Sequence, residues 1–265
     1  MAKSIWKGVI TFGMVSIPVK LYTAARSKDL SFNQIHTKCN SRIKYKKWCP
    51  TCEMEVPAEE IVKGYEYAKN QYVLLEEKDL ENLPVPSKHA INVDAFVKSE
   101  DIDPVYYEKS YYLEPEAVGT KPYTLLKELL SKKNMQAIGK ITIHERESLC
   151  SLRSYNGVLI METLYYPDEI SVPKKLDVEL PEVEPKELEM ASQLADYLFE
   201  EFHPEKYHDE YREKLQEAIQ AKIQGKEFIV AEAPPAAPKV IDLMEALKAS
   251  VESAKKEKKG KEKAG

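Results

Sequence analysis

The sequence has no apolar run long enough to cross a membrane as a helix. Its first residues also lack a secretory signal, because Lys7 interrupts the apolar positions and Pro18 follows soon after. No glycine-rich phosphate-binding loop occurs, which argues against nucleotide hydrolysis. The histidines outside residues 36–52 form no recognisable metal pair or catalytic triad; they are His89, His144, His203 and His208. These absences favour a cytoplasmic protein without membrane contact and without catalytic residues.

Cysteine is also scarce, with four residues in 265, and three of them fall within fourteen positions. With no secretion signal and an odd cysteine, Cys150, left over, a reducing compartment is expected. The other three form two pairs with a histidine, His36-x2-Cys39 and Cys49-x2-Cys52. Two such knuckles supply four ligands of the kind that tetrahedral zinc prefers. We therefore predict a structural zinc site made by these four residues.

Two other interpretations of the cysteines stay open. Residues 48–52, Trp-Cys-Pro-Thr-Cys, have the spacing of a thioredoxin-type redox pair, which requires a helix directly after the first cysteine. Pro57 follows Cys52 too closely to leave room for that helix. The thiols can also be structural without binding any metal.

The net charge of −5 conceals an uneven distribution. Residues 1–52 carry ten Lys or Arg against one Asp, whereas residues 53–116 carry six against sixteen acidic residues. The stretch between the two knuckles is basic, with Arg42, Lys44, Lys46 and Lys47. This confinement favours contact with nucleic-acid phosphates, and a solvated surface is the alternative.

Short strands dominate the first two thirds of the chain. Residues 15–21 alternate strictly between apolar and polar positions, and Asn156-Gly157 predicts a tight hairpin between two apolar runs. A helix is predicted over residues 121–133, with Thr120 as its N-cap and Leu125, Leu126, Leu129 and Leu130 as its buried stripe. Seven or eight strands with few helices between them indicate a mixed α+β protein, mainly β, built on a closed or nearly closed antiparallel barrel.

The pattern divides the chain into segments. Residues 1–35 and 53–166 form the barrel core, with a short helix at about 77–83, and residues 36–52 form an inserted zinc-ribbon-like basic hairpin. An acidic, Pro-rich connector at 167–185 precedes two helices at 186–225, which pack either on a second subunit or on the same barrel. A Pro-rich linker at 231–238 then leads to an amphipathic helix at 239–252, typical of a segment that docks in a partner's groove. The Lys-rich tail at 253–265 is expected to be disordered.

Four stretches in order along the chain are specific enough to suggest a family. They are SIWKGVITFGMVSIPVKLYTAA, RIKYKKWCPTCEMEVPAEEIVKGYEY, DIDPVYYEKSYYLEP and VIDLMEALKASVE. Together they resemble bacterial Ku, the DNA-end-binding family of non-homologous end joining. The resemblance runs from about residue 2 to about residue 252 without losing an element.

The resemblance implies a homodimer whose two barrels and two bridge segments close a ring around duplex DNA. The bridge of this family has been interpreted as an atypical zinc ribbon, although here a histidine, His36, stands where cysteine is commoner. Residues 186–224 would clasp the partner subunit. The segment 240–252 resembles the family's contact for ATP-dependent DNA ligase D, with Leu243, Met244 and Leu247 as its anchors. The lysine tail would modulate DNA binding.

We therefore predict sequence-independent binding of double-stranded DNA ends by a nucleoid-associated, non-enzymatic protein that protects and bridges breaks and recruits the ligase. The predicted phosphate contacts are Lys20, Arg26, Arg42, Lys44, Lys46, Lys47, Arg146 and Arg153. The alternative is a zinc-ribbon nucleic-acid-binding regulator, which should add a basic recognition helix that the sequence does not show. Some bacterial end-joining factors have weak lyase activity at abasic sites, and a lysine here could supply it.

Overall fold

The structure, a computed structural model, describes residues 3–76, 78–79, 86–171, 178, 180–226 and 243–262. The chain forms two compact units, Met1–Pro173 and Lys174–Gly265. Most of the predicted helix at 77–83, the linker at 231–238 and the first residues of the segment 239–252 lie outside the described residues. In the part of the chain that is described, no helix is long and apolar enough to span a membrane.

The first unit is built on a closed barrel. Strands β1 (Trp6–Phe12) and β2 (Val15–Thr23) begin it. Three small hairpins follow, which pair β3 (Ile35–His36) with β4 (Ser41–Arg42), β5 (Trp48–Cys49) with β6 (Met54–Glu55), and β7 (Lys63–Ala68) with β8 (Gln71–Leu75). The barrel is completed by β9 (Ala90–Lys98), β10 (Tyr107–Pro115), β11 (Met135–Ile143), β12 (Arg146–Tyr155) and β13 (Val158–Leu164).

The seven barrel strands follow one another around the ring in the order β1-β2-β10-β13-β12-β11-β9. The predicted mainly-β α+β class and the closed barrel are therefore confirmed. The prediction of an antiparallel barrel needs one correction, because β9 and β1 pair in parallel, with Ile10 opposite Ile91. An odd number of strands cannot alternate in direction around a closed ring, so seven strands require at least one parallel pair.

The turns and the core follow from the sequence pattern. The predicted hairpin at Asn156-Gly157 is confirmed, since both residues have positive φ, 46° and 83°, as a type I′ turn demands. Ile17, Val19 and Leu21 of β2 are fully buried in the barrel interior, and the residues between them are more exposed. The alternation of apolar and polar residues thus predicted correctly which face of β2 points into the barrel.

Helix α1 (Thr120–Lys133) covers part of this core. Its buried residues are Tyr123, Leu126 and Leu130, and Leu125 of the predicted stripe is 59% exposed. The helix also starts one residue earlier than predicted, with Gly119 rather than Thr120 at the N-cap position. The observed stripe begins at a tyrosine and continues three and then four residues later, a pattern that the run of leucines obscured.

The second unit contains, within its described residues, the helices α2 (Pro185–Leu198), α3 (Glu210–Ile223) and α4 (Leu243–Glu262). Helices α2 and α4 contact each other. Helix α4 extends through residues 253–262, for which the sequence predicted disorder. Alanine, lysine and glutamate are strong helix formers, and their propensity outweighs the repulsion among the lysines of this stretch.

Candidate nucleic-acid interface

The two predicted knuckles have the same backbone geometry. His36 ends β3 and Cys49 ends β5, and each is followed by a four-residue loop whose third residue is the second predicted ligand, Cys39 or Cys52. The fourth loop residue has positive φ in both cases, 52° at Asn40 and 50° at Glu53. Matching backbone hydrogen bonds close the two hairpins, from Ile43 to Gln34 and from Val56 to Lys47. The second hairpin therefore repeats the first thirteen residues later.

Each knuckle brings its two ligand candidates together. His36 Nδ1 lies 3.0 Å from Cys39 Sγ, and a hydrogen bond from Ser41 lowers the pKa of Cys39. Backbone N–H groups of Cys52 and Thr51 lower the pKa of Cys49. Within the same knuckle, the thiol of Cys52 is hydrogen-bonded to Cys49, which raises the pKa of Cys52.

The two knuckles do not combine into one site. Among the described residues, which include all four predicted ligands, no three His, Cys, Asp or Glu side chains group closely enough to hold a metal ion. The donor types and the two matched turns fit zinc, whereas the arrangement supplies two half-sites rather than a tetrahedral set.

The basic residues between and before the knuckles are solvent-exposed. Arg26, Arg42, Lys44 and Lys47 are all exposed, and none of them forms an ion pair with another described residue. Lys46 differs, because its Nζ is ion-paired with Glu55 across the second hairpin. Four of the eight predicted phosphate contacts thus carry charge that is not ion-paired with any carboxylate of the described residues.

The other three predicted contacts lie on the barrel and face carboxylates. Lys20 is half-buried on β2, where it assists Lys7 in lowering the pKa of Glu116. Arg146 is ion-paired with Glu169 at 2.7 Å.

Arg153 is the most tightly held of the predicted contacts. Its Nε and one terminal nitrogen donate to the two carboxylate oxygens of Glu162 at 2.8 and 2.7 Å. Glu162 raises the pKa of Arg153, whose guanidinium also lies 5.2 Å from the centre of the Tyr155 ring. Such a bidentate pair leaves little of the guanidinium for an outside phosphate.

One connection between the small hairpins and the barrel was missed by sequence reasoning. Lys63 of β7 is ion-paired at 2.7 Å with Glu145, which lies in the β11–β12 turn and whose pKa this lysine lowers. His144 and Glu145 both have positive φ, 50° and 64°, at a turn that usually carries Asn-Gly. A contact across 82 residues leaves no local signal, although two non-glycine residues in this turn are unusual.

Aromatic side chains on the hairpins are also exposed. The β7–β8 hairpin has both faces uncovered within the first unit, and its exposed aromatic residues are Tyr65, Tyr67 and Tyr72. Tyr45 and Trp48 are exposed on the knuckle region. Two-stranded hairpins are marginally stable alone, so these surfaces are suited to being covered by another molecule.

The predicted ligase anchors lie at the start of α4. Leu243 is exposed, and Met244 and Leu247 are half-buried. Elsewhere in the second unit, Phe199, Phe202 and Tyr211 are exposed, and the Phe202 ring stacks on Tyr207 at a centroid distance of 5.7 Å.

Comparison with known proteins identifies the family. The profile of the Ku family, described as the Ku70/Ku80 beta-barrel domain, matches residues 11–190. A protein of Symbiobacterium thermophilum named Non-homologous end joining protein Ku is 44% identical over 95% of this chain, which spans 63% of that relative's length. Proteins with the same name from Heliobacterium modesticaldum and Desulfitobacterium hafniense are 43% and 44% identical over 98% and 94% of this chain, which covers 95% and 87% of them.

Among solved structures, the SPOC domain of human PHD-finger protein 3 aligns with 61% of this chain and 95% of its own. The sequence identity is 14% and the TM-score is 0.30, so this likeness supports no inference. The family profile, by contrast, matches most of the chain, and the relatives match nearly all of it. The resemblance seen in the sequence is confirmed, and this chain belongs to the Ku family.

Proposed function

We propose that this protein binds the ends of double-stranded DNA without regard to sequence, as a ring-shaped homodimer that acts in non-homologous end joining. The observation that carries the proposal is membership of the Ku family, whose curated relatives bear that name. It acts at the nucleoid in the cytoplasm, where it protects and bridges breaks. Binding rather than catalysis accounts for the function, and the ring is the device that selects ends.

The physical basis of end selection is topological. A closed ring admits duplex DNA only where the duplex has an end, so a break is recognised without any base being read. Affinity then comes from cations on phosphates. Arg26, Arg42, Lys44 and Lys47 are the best placed for this role, because their charges are exposed and uncompensated among the described residues. Of the four remaining predicted contacts, Lys46, Arg146 and Arg153 would first have to leave their ion-pair partners. Lys20 is half-buried on β2.

The second copy of the chain is expected to cover surfaces that one copy leaves open. The β7–β8 hairpin is exposed on both faces and carries three tyrosines. The helical arm at 186–225 exposes Phe199, Phe202 and Tyr211. Exposed aromatic clusters of this kind are typical of interfaces between subunits.

A structural zinc ion is proposed to stiffen the bridge. His36, Cys39, Cys49 and Cys52 would hold it, two from each of the matched knuckles, and to do so the two knuckles would have to move together from the separate positions that they have in this structure. The ion would then supply a cross-link between hairpins whose strands are two residues long. Purified protein should contain about one zinc per chain. Cys49→Ser should lose it.

Cys150→Ala is the matched control for the zinc test, because Cys150 is fully buried in the barrel and burial raises its pKa to about 12. It should keep the full metal content. Wild-type protein without zinc, or equal loss in both variants, would remove this part of the proposal.

The partner downstream is proposed to be ATP-dependent DNA ligase D, which would contact Leu243, Met244 and Leu247 at the start of α4. An amphipathic helix with apolar residues three and four positions apart suits a groove on a partner protein. Replacing Leu243 and Leu247 by aspartate should abolish ligase recruitment to DNA ends and leave end binding itself intact.

The test of end recognition is a gel shift with three forms of one duplex: linear, capped by hairpins at both ends, and closed into a circle. The linear form should bind strongly and the circle should not bind, and bulky caps should block entry. Protein of measured zinc content and measured oligomeric state should be used. Equal affinity for circle and linear duplex would rule out the ring, and a zinc-ribbon regulator would give that result with a preference for one sequence.

A further inference from the structure

Two helices of the C-terminal unit contact each other, and each carries a row of apolar residues that are less exposed than their neighbours. On α2 the half-buried row is Met190, Leu194 and Tyr197, and on α4 it is Met244, Leu247, Val251 and Ala254. Spacings of three and four residues keep each row on one side of its helix, as in helices that pack in coiled coils. Ala254, 9% exposed, is the one hydrophobic residue classed as buried among the described positions of 174–265.

Most of the other residues of α2, and of α4 as far as residue 256, are exposed. The side of α2 next to its row exposes Leu188, at 62%, although this residue is as apolar as Leu194. On α4 the exposed residues include Lys248, Lys255 and Lys256. Burial therefore distinguishes two leucines on the same helix, as expected if the row on α2 is a docking surface, here called the seat, for α4.

Two of the three residues proposed to contact the ligase belong to the α4 row. Met244 and Leu247 lie in the α4 row, while Leu243, directly before them, is 57% exposed. We infer that α4 docks on α2 within the same chain. A partner protein can then contact Met244 and Leu247 only by displacing α4 from α2. The regulatory consequence rests on the proposed ligase contact, whereas the docking itself does not. Leu243 offers the partner a first point of contact before displacement.

The size of the effect follows from tethering. Because α2 and α4 belong to one chain, we take an effective concentration of about 1 mM for their association. If the two rows associate in trans with a dissociation constant of about 0.1 mM, the seat is filled about ten times more often than it is empty. A competing partner then binds about tenfold more weakly than it would bind free α4.

The docking can be tested without any ligase, using a fluorescent synthetic peptide of residues 243–262 and the full chain. In the wild-type chain the seat is occupied by its own α4, so peptide capture should be weak. Leu247→Asp in the chain should release α4 and improve capture of the wild-type peptide about tenfold. Adding Leu194→Asp should then abolish capture, because it places a charge in the seat.

The matched control is Leu188→Asp combined with Leu247→Asp, which makes the same substitution on the same helix outside the row. It should capture the peptide as well as Leu247→Asp alone. Met190→Asp, one turn from Leu194, provides a second seat variant should Leu194→Asp disturb the helix, which circular dichroism detects. Capture that Leu247→Asp does not improve, or that Leu188→Asp also abolishes, would overturn the inference.

The ligase enters in a separate measurement. The chain with Leu194→Asp keeps an intact α4 and should bind the ligase about tenfold more tightly than the wild-type chain, with Leu188→Asp unchanged. If the ligase fails to bind any of these chains, the proposed recruitment fails while the peptide result stands. If the ligase binds but Leu194→Asp gives no gain, displacement from α2 is not required and the inference fails instead.

Discussion

Replacing Lys44 with glutamine should reduce the salt dependence of DNA binding, whereas removing the Lys46–Glu55 ion pair should not. Lys44 is exposed and unpaired among the described residues, while the charge of Lys46 is already compensated. Each phosphate contact contributes about −0.9 to the slope of log K against log salt. The four cations that are both exposed and unpaired give about eight contacts in two copies and a slope of about −7, whereas all eight predicted cations in each copy would give about −14.

Lys44→Gln removes one contact from each copy, so the slope should fall in magnitude by about 1.8 and the affinity at about 0.1 M salt by roughly 60-fold. The control is Lys46→Gln/Glu55→Gln, which removes a neutral pair and should leave the slope unchanged. Fluorescence anisotropy of a short labelled duplex over a series of salt concentrations measures both quantities. Equal changes of slope in the two variants would refute the reasoning that ion pairing within the chain decides which cations hold DNA.

Two further predictions concern the barrel. Arg153→Met should destabilise the protein by about 3 kcal/mol, because Glu162, whose side chain is 9% exposed, loses its counter-charge. The double variant Arg153→Met/Glu162→Met should recover most of the lost stability. Denaturant unfolding of the set measures it, and a double variant as unstable as the single one would contradict it. Gly139→Ala should also destabilise the protein, since a Cβ there would lie 2.3 Å from the carbonyl oxygen of Asn92 on the neighbouring strand. The control is Gly64→Ala, whose Cβ would have no atom nearer than 3.7 Å and which should change the thermal midpoint little.

The parts of the fold that depend on local pattern were predictable. Alternation in β2 and the Asn156-Gly157 turn determine strand faces and a hairpin from adjacent residues alone. Ring closure depends instead on which strands meet across the whole chain. The parallel pair of β1 and β9 joins residues about eighty positions apart, and no periodicity announces it.

The same distinction explains the candidate site. Charge and knuckle spacing are properties of short stretches, so Arg42 and Lys44 could be singled out from the sequence. Arg153 looked equivalent to them, yet Glu162 lies two residues beyond its cross-strand neighbour Ile160, on the adjacent strand. Register decides that pairing. Whether a lysine or arginine is free or compensated therefore required the structure.

The C-terminal helix shows a different limit. Its lysine-rich composition suggested disorder, but Ala254 lies in the row that packs on α2 and is buried there. Contact with α2 adds to the high helix propensity of alanine, lysine and glutamate, and the helix continues beyond the apolar segment that the sequence revealed.

The central claim is that the protein encircles DNA, and topological trapping tests it most directly. Protein is loaded on a linear duplex, the duplex is closed into a circle by a purified ligase of unrelated type, and the sample is washed with concentrated salt. A ring predicts that protein stays on the circle, which it cannot leave, and is lost from a linear duplex treated in the same way. Release from both at the same salt concentration would contradict encirclement, because an open clamp depends only on the phosphate contacts that salt weakens.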